Sequence, residues 1–431
     1  MPRRNFLCIL VAVVVSLICY RAADRNPYGR YFADVMNKID QLYIEPVDNQ
    51  ALFDSAIKGM LKNLDRHSDF FGPDKVSQFL SPIDQQYAGI GVQVATDPKT
   101  DRLTVLTTFV GSPAYEADIH AGDQILQIDD QPAKDLSVDD VANLIRGEVG
   151  TPVRLVLGRA GRDTSLEVKL TRAEVKVDSV LGDTRNADDS WNFHLPGHPE
   201  IGYVRITNFG DFTAAELQKA VTALHGESLK GLVLDLRFNG GGRLEAAIDV
   251  CSLFLPNGKT VLTTKGRNQQ VLEEFRSHGP TPMLDTPLVV LVNGQSASAS
   301  EIVAACLQDY HRAVVCGQRS YGKGTVQSVL GVERNKSLLK LTIAYYWRPS
   351  QRNIHRRKES KDSDEWGVMP EAGFAVDMSQ QQVDALREAW SDREIVRKGH
   401  AATGDPQVNI LDVDPQLKRA VEYLLHAGAA K

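Results

Sequence analysis

Cysteine is scarce in this chain, with five among 431 residues: Cys8, Cys19, Cys251, Cys306 and Cys316. They form no CxxC pair and no Cys/His cluster, which excludes a structural zinc site and leaves no metal set to propose. Two of them sit in the N-terminal apolar run, and the other three cannot all pair within one chain. Small buried side chains are their expected state, with a Cys306–Cys316 disulfide left open for an oxidising compartment. An excess of positive charge is also missing. Forty-nine Lys and Arg face 55 Asp and Glu, for a net charge of −6. Without a basic stripe interleaved with aromatics, nucleic acid is not an expected partner. Neither GxxxxGK[ST] nor GxGxxG occurs, so no nucleotide or other cofactor is expected. Fixed-period repeats and low-complexity tracts are absent, which excludes solenoid and disordered classes.

The length exceeds one compact core, so two or three domains are expected. The N-terminus stands apart. Arg3 and Arg4 precede Phe6–Tyr20, a run interrupted only by Ser16. A short basic region followed by such a stretch reads as an export signal, and about 20 residues would be needed to span a bilayer. Small Ala23 but bulky Arg21 precede Asp24, a poor cleavage site, so the segment 1–23 is expected as a signal peptide or a retained anchor. The expected location is exported, periplasmic or extracytoplasmic, with membrane contact through this segment.

Beyond it, Tyr28–Leu80 carries apolar residues at three- and four-residue spacing (Val35, Ile39, Leu42, then Ile57, Met60, Leu61), which predicts a helical cap over 28–84. Residues 85–174 change to short β-rich runs with turn signals and one helix near Val138–Arg146, a partly open β-barrel. The turn Gly89-Ile90-Gly91-Val92 and the later His120-Ala121-Gly122-Asp123-Gln124 resemble a PDZ domain. The resemblance implies a site for an extended C-terminal peptide, bound by strand addition with its carboxylate at Gly89, Ile90, Gly91 and Val92. From residue 175 to 375 strands alternate with helices: Gly202–Ile206, Ala214–Leu224, Gly231–Leu236, Leu244–Phe254, Leu288–Val292 and Ser300–Asp309. Such alternation predicts an α/β core covered on both faces, with Val314–Gly317, Ser328–Leu330 and Leu338–Tyr346 continuing its sheet. Residues 376–431 read as a helical region. The fold class is thus multidomain α+β and α/β.

Residues 293–327 carry the chemistry. Ser298 follows the apolar strand Leu288–Val292 and precedes a helix, so it lies where α/β proteins place their sites. The Ala299 N–H at the helix start is a natural oxyanion donor. Taken alone, Ser298 is better explained as a plain helix N-cap. Lys323, between Gly322 and Gly324, changes that balance, because a lysine kept neutral by burial can act as the base of a Ser-Lys pair. Gln327 could orient that amine. Asn239-Gly240-Gly241-Gly242 follows another strand, and Gly241 is the expected second oxyanion donor.

Four segments now stand together: GIGV at 89–92, LDLRFNGGG at 234–242, SASASEIVAACLQD at 296–309 and YGKGTVQ at 321–327. With Tyr345-Tyr346 and Gly367-Val368-Met369-Pro370 they resemble the C-terminal processing (tail-specific) proteases, Ser-Lys serine peptidases with an embedded PDZ domain. The resemblance covers about residues 30–375. It implies Ser298 as nucleophile, Lys323 as base, Gln327 as its orienting partner and a structural Asp309. It further implies protein or peptide substrates with apolar C-termini, with an adaptor or a homo-oligomer as further partners. Two departures stand out: Phe238-Asn239-Gly240-Gly241-Gly242 replaces the family's Asn-Asn-Pro-Gly-Gly, and residues 352–366 look inserted. Two rival readings are a non-catalytic PDZ scaffold on a decayed hydrolase core, and a nucleotide-binding α/β enzyme resting on the glycine loop alone.

Overall fold

The computed structural model describes residues 5, 9–16, 27–73, 75–76, 79–80, 84–98, 100–225, 229–280, 283, 285–332, 334, 336–396 and 408–427. Two compact units divide the chain. One is Met1–Pro73 with Val329–Leu341, and the other is Asp74–Ser328 with Thr342–Lys431.

In the first unit, α1 (Pro27–Leu42) and α2 (Asn49–Lys62) are amphipathic, and the Asp48 side chain caps α2 by accepting from Gln50 N and Ala51 N. Asp65 then accepts from the His67 and Ser68 amides, which makes a turn. The next residues correct the all-helical expectation for Tyr28–Leu80. Asp69–Phe71 is a strand, β1, paired antiparallel with residues 338–340. Phe70 is buried and stacks edge-on against Phe53, so the ring is held by packing that local periodicity does not report. Residues 9–16 of the expected export segment are helical, whereas Arg3, Arg4, Cys8, Cys19, Arg21, Ala23 and Asp24 lie outside the described residues. Among the described residues no helix is long and apolar enough to cross a membrane.

The second unit opens with β2 (Gln86–Gly89), followed by β3 (Val92–Asp97), β4 (Arg102–Thr108), β5 (Gln124–Ile128), helix α3 (Val138–Ile145), β6 (Pro152–Gly158), β7 (Leu166–Thr171) and β8 (Ala173–Lys176). The sheet runs β3-β4-β5-β6-β7, with β3 at one edge, and β2 pairs separately with β8. Ser137 and Asp140 form a capping box at the start of α3. Ile90, Val105, Ile128, Val141 and Leu155 make its core.

Then come β9 (His198–Ile206), α4 (Thr213–His225), β10 (Gly231–Asp235), α5 (Leu244–Ser252), a hairpin of β11 (Thr260–Lys265) and β12 (Val271–Arg276), β13 (Leu288–Val292), α6 (Ala299–Asp309) and β14 (Val314–Gly317). Strands β9, β10, β13 and β14 are parallel neighbours in that order. Both β10 and β13 are buried at every residue, as strands covered on two faces must be. Val204, Leu234 and Val290 face α4, α5 and α6. Tyr203, Val233 and Leu291 face the C-terminal helices α7 (Gln380–Glu394) and α8 (Pro415–Ala427). Each such aliphatic side chain removed from water stabilises the fold by about 1.5–3 kcal/mol.

Two long strands correct the sheet assignment. β15 (Thr325–Val332) and β16 (Ser337–Trp347) do not continue the parallel sheet; they join β11 and β12 in an antiparallel one. Along β16, Ala344 and Tyr346 are buried while Ile343 and Tyr345 are exposed. That alternation belongs to a sheet with one solvated face. The open Cys306–Cys316 disulfide is also corrected, because Cys251, Cys306 and Cys316 are free, buried thiols.

Candidate active site

The two central strands β10 and β13 end side by side, and the loops leaving them carry Gly241 and Ser298. Hydrogen bonds stitch these loops together. Ser296 Oγ donates to Leu236 O at 2.8 Å, and the Phe238 amide donates to Asn293 Oδ1 at 3.1 Å. Asn239, fully buried, is the central tie: its carbonyl accepts from Ala297 N and from Ser300 Oγ, and its side chain donates to Ile206 O.

Ser298 sits at φ +57°, ψ −114°, a left-handed backbone that a serine adopts only when its surroundings impose it. It is half-buried between buried Ala297 and Ala299. Gly241, at φ +103°, lies directly against it. A Cβ there would fall 2.8 Å from Ser298 Cβ and 3.0 Å from Ala299 N. Only glycine meets both demands. Ala299 is the first residue of α6, so its N–H has no intrahelical partner. The Gly241 N–H, by contrast, donates to Asn239 Oδ1 at 2.8 Å, so this donor is engaged within its own loop.

Lys323 is brought to the same place by a residue to which sequence reasoning gave no role. Glu301, in the first turn of α6, is fully buried. Its Oε2 accepts from Ser298 N at 2.9 Å and from Lys323 N at 2.8 Å. Its Oε1 accepts from Gly322 N at 2.7 Å and Ser320 Oγ at 2.5 Å. One carboxylate therefore fixes the backbone of both dyad candidates. Burial raises its pKa above the ordinary 4.5, and the four bonds counter that only in part. Tyr346 closes the other side. Its buried hydroxyl lies within bonding reach of Ser298 O and Lys323 O. Burial, and then the Glu301 charge, push the phenol well above its usual pKa, so it stays a neutral donor. The sequence signal for Glu301 was its place three residues after Ser298, the capping-box spacing. Nothing in the sequence singled out Tyr346 from Tyr345.

Gln327 lies in β15. Its amide nitrogen donates to Thr325 Oγ1 at 2.8 Å and Thr342 Oγ1 at 3.3 Å, which leaves the side-chain oxygen as its acceptor. Asp309 binds Arg348 through both carboxylate oxygens and accepts from Ser350 N, a structural pairing. Behind the glycine loop, Arg237 is fully buried between Asp235 and Asp414, with contacts of 2.6 Å to each. Burial opposes its charge, but the two carboxylates outweigh that and hold its pKa above the ordinary arginine value.

The Gly89–Val92 turn lies elsewhere in this unit and links the β2–β8 pair to the β3-β4-β5-β6-β7 sheet. Gly89 ends β2 and Val92 opens β3. The Ile90 side chain is fully buried, and its carbonyl accepts from Ala114 N. Gly91 adopts φ +81°, where a Cβ would fall 2.1 Å from Ser112 Cβ. Helix α3 packs against the edge strand β3.

The model for peptidase family S41 matches residues 200–370, and one for the PDZ domain matches residues 110–159. The chain is 34% identical over 337 residues to a carboxy-terminal-processing protease of Bartonella bacilliformis, covering 77% of this chain and 74% of that one. It is 32% identical over 367 residues to the carboxy-terminal processing protease CtpA of Bacillus subtilis, covering 82% and 74%. A carboxyl-terminal-processing protease of Synechocystis sp. is 34% identical over 327 residues, covering 76% and 72%.

Proposed function

The chain belongs to peptidase family S41 and is a C-terminal processing serine peptidase, and on that premise we propose that it cuts by a Ser298–Lys323 dyad. The observation that carries the dyad is the shared clamp, in which Glu301 Oε2 accepts the amides of both residues. Lys323, neutral, takes the Ser298 hydroxyl proton as Oγ attacks the carbonyl carbon of a substrate peptide bond. The tetrahedral intermediate collapses to an ester on Ser298, and the amine product leaves with the proton from Lys323. Water, deprotonated by Lys323, then attacks the ester and frees the acid product and the serine. Gln327, with its amide nitrogen held by two threonines, would accept from the lysine amine and orient it.

The Ala299 N–H is the first oxyanion donor. The Gly241 N–H joins it by exchanging its Asn239 bond for one to the oxyanion, a charge-assisted bond and so the stronger of the two. Residues 85–174 would form the tail-binding domain and 175–375 the hydrolytic core. An apolar C-terminal tail would add to the β3 edge beside α3, with its carboxylate at the Gly89–Val92 turn. The basic and apolar start of the chain supports export, with the segment either removed or kept as an anchor.

The test is cleavage of an unfolded protein ending in Leu-Ala-Ala by the full chain, beside Ser298→Ala and Lys323→Ala enzymes and an amidated substrate. Cleavage is expected to vanish in both variants while tail-peptide binding persists. Activity kept by Lys323→Ala would refute the dyad. Equal cleavage of amidated tails would remove tail recognition. A folded wild type that binds tails and cleaves nothing would favour the peptide-binding scaffold.

A further inference from the structure

Residues 352–366 read as an inserted, strongly charged stretch, the composition of a solvated loop, yet this segment is ordered against the Lys323 loop. Its one tryptophan, Trp366, is only 7% exposed. The Trp366 ring is sandwiched between two guanidinium groups, Arg319 at 4.0 Å and Arg356 at 4.3 Å from the ring centroid. The Trp366 indole N–H donates to Lys361 O, and Arg319 also donates to the Asp362 and Asp364 carbonyls at 2.8 and 2.7 Å. Cation–π stacking and these bonds fold the segment back on itself.

What it folds against is the arc that carries Lys323. The Arg356 amide donates to Gly322 O at 2.8 Å. A Cβ on Gly322, at φ +85°, would fall 2.7 Å from Arg356 Cβ and 3.0 Å from the Trp366 ring. One on Gly324 would fall 2.6 Å from His355 N. Both glycines beside Lys323 are therefore required by this segment's close approach. Its far end returns to the Glu301 clamp, because Gly367 N donates to Ile354 O and Val368 N donates to Ser320 Oγ, which itself donates to Glu301. The lysine arc is thus gripped from Glu301 on one side and from residues 355–356 on the other.

We infer that residues 352–367 form a strap that positions Lys323, and that Trp366, held between Arg319 and Arg356, is its positioning residue. The inference rests on Lys323 being the base. Trp366 touches no reacting atom; it acts through the backbone of residues 355–356 on that of residues 322–324. A shift of a catalytic group by as little as an ångström can cost about a hundredfold in rate.

The experiment compares Trp366→Leu, Trp366→Phe, Arg319→Gln and Lys323→Ala with wild type as full chains, using the Leu-Ala-Ala-tailed substrate. Thermal unfolding of each establishes that it is folded. Trp366→Leu should lose about ten- to a hundredfold in kcat with KM unchanged, since tail binding is made elsewhere. Trp366→Phe keeps a ring between the guanidiniums and should recover most of kcat. If Trp366→Leu does not fold, Arg319→Gln, which removes one face of the sandwich, should give the same split in smaller measure. Wild-type kcat in a folded Trp366→Leu, or a loss that Trp366→Phe fails to recover, overturns the strap. A dead Lys323→Ala beside a fully active Trp366→Leu refutes the strap alone, whereas an active Lys323→Ala refutes the lysine reading beneath it.

Discussion

Glu301 is a carboxylate with no exposed surface, and all four groups that bond to it are donors. An ionised carboxylate serves four donors well, and an amide does not. Glu301→Gln keeps the shape but turns an NH2 toward at least one backbone N–H, whichever oxygen it replaces. Its kcat is expected to fall by about tenfold or more through displacement of Ser298 and Lys323, with tail-peptide affinity unchanged. The pH dependence has a definite sign. Burial holds the Glu301 pKa above 4.5, so the folded protein binds this proton more tightly than the unfolded chain does. Ionising it therefore costs stability, and the cost grows as pH rises from 4.5 to the raised folded value. The unfolding free energy of wild type minus that of the Gln variant should decline across that window in denaturant titrations. A difference that grew with pH would mean the four bonds outweigh burial. Ser298, Lys323 and Gly241 could be named as candidates from sequence because each stands in a short run of small residues that few other purposes require. Glu301 was not, since its role depends on residues 19 to 22 positions later folding back to it, and the spacing from Ser298 alone is also that of an ordinary cap.

At the scale of elements, the geometry of the site depends on two loops meeting without side chains between them. Gly241 and Gly240 are neighbours in sequence and opposites in space. A Cβ on Gly240 would meet nothing within 4 Å, whereas one on Gly241 would meet Ala297 O and Ser298 Cβ at 2.8 Å each. Gly241→Ala should thus lower kcat by about a hundredfold or more while leaving tail-peptide binding intact, and Gly240→Ala should be tolerated. Steady-state kinetics with a labelled peptide for affinity would decide it, and equal activity in the two variants would refute the close-approach account. The strands that present these loops were legible for a related reason. β13 is an unbroken apolar run, and β10 is one until its last residue, Asp235, as strands covered on both faces require. The hairpin of β11 and β12 escaped notice because β12 exposes Val271, Leu272, Glu273 and Glu274 alike and so carries no alternation. β16 was recognised as a strand but given to the wrong sheet, since a period of two says that a segment is extended and not what it pairs with.

Across the molecule, the C-terminal segment closes the circuit around the catalytic core. Arg237, one residue before the Phe238-Asn239-Gly240-Gly241 loop, is the meeting point. Asp235 at the end of β10 and Asp414 just before α8 both bind its guanidinium, and Gln416 Oε1 accepts from it as well. All three charged side chains are fully buried. Trp390 of α7 lies under the Arg237 guanidinium and edge-on to Phe238. From sequence, residues 376–431 were legible only as helices, because Arg237, the charge that Asp414 answers, lies 177 positions earlier. The consequence is that Asp414 matters for both stability and rate. Removing one partner from a buried, bonded ion group typically costs about 3–5 kcal/mol, because the remaining charge stays buried with less compensation. Asp414→Ala is therefore expected to lose that much in urea unfolding. Asp414→Asn retains one acceptor for Arg237 and should lose less. At a temperature where both variants remain folded, kcat should fall in the same order, since Arg237 leads directly into the loop that places Gly241 against Ser298. Stability lost with kcat intact would make Asp414 a structural brace and no more.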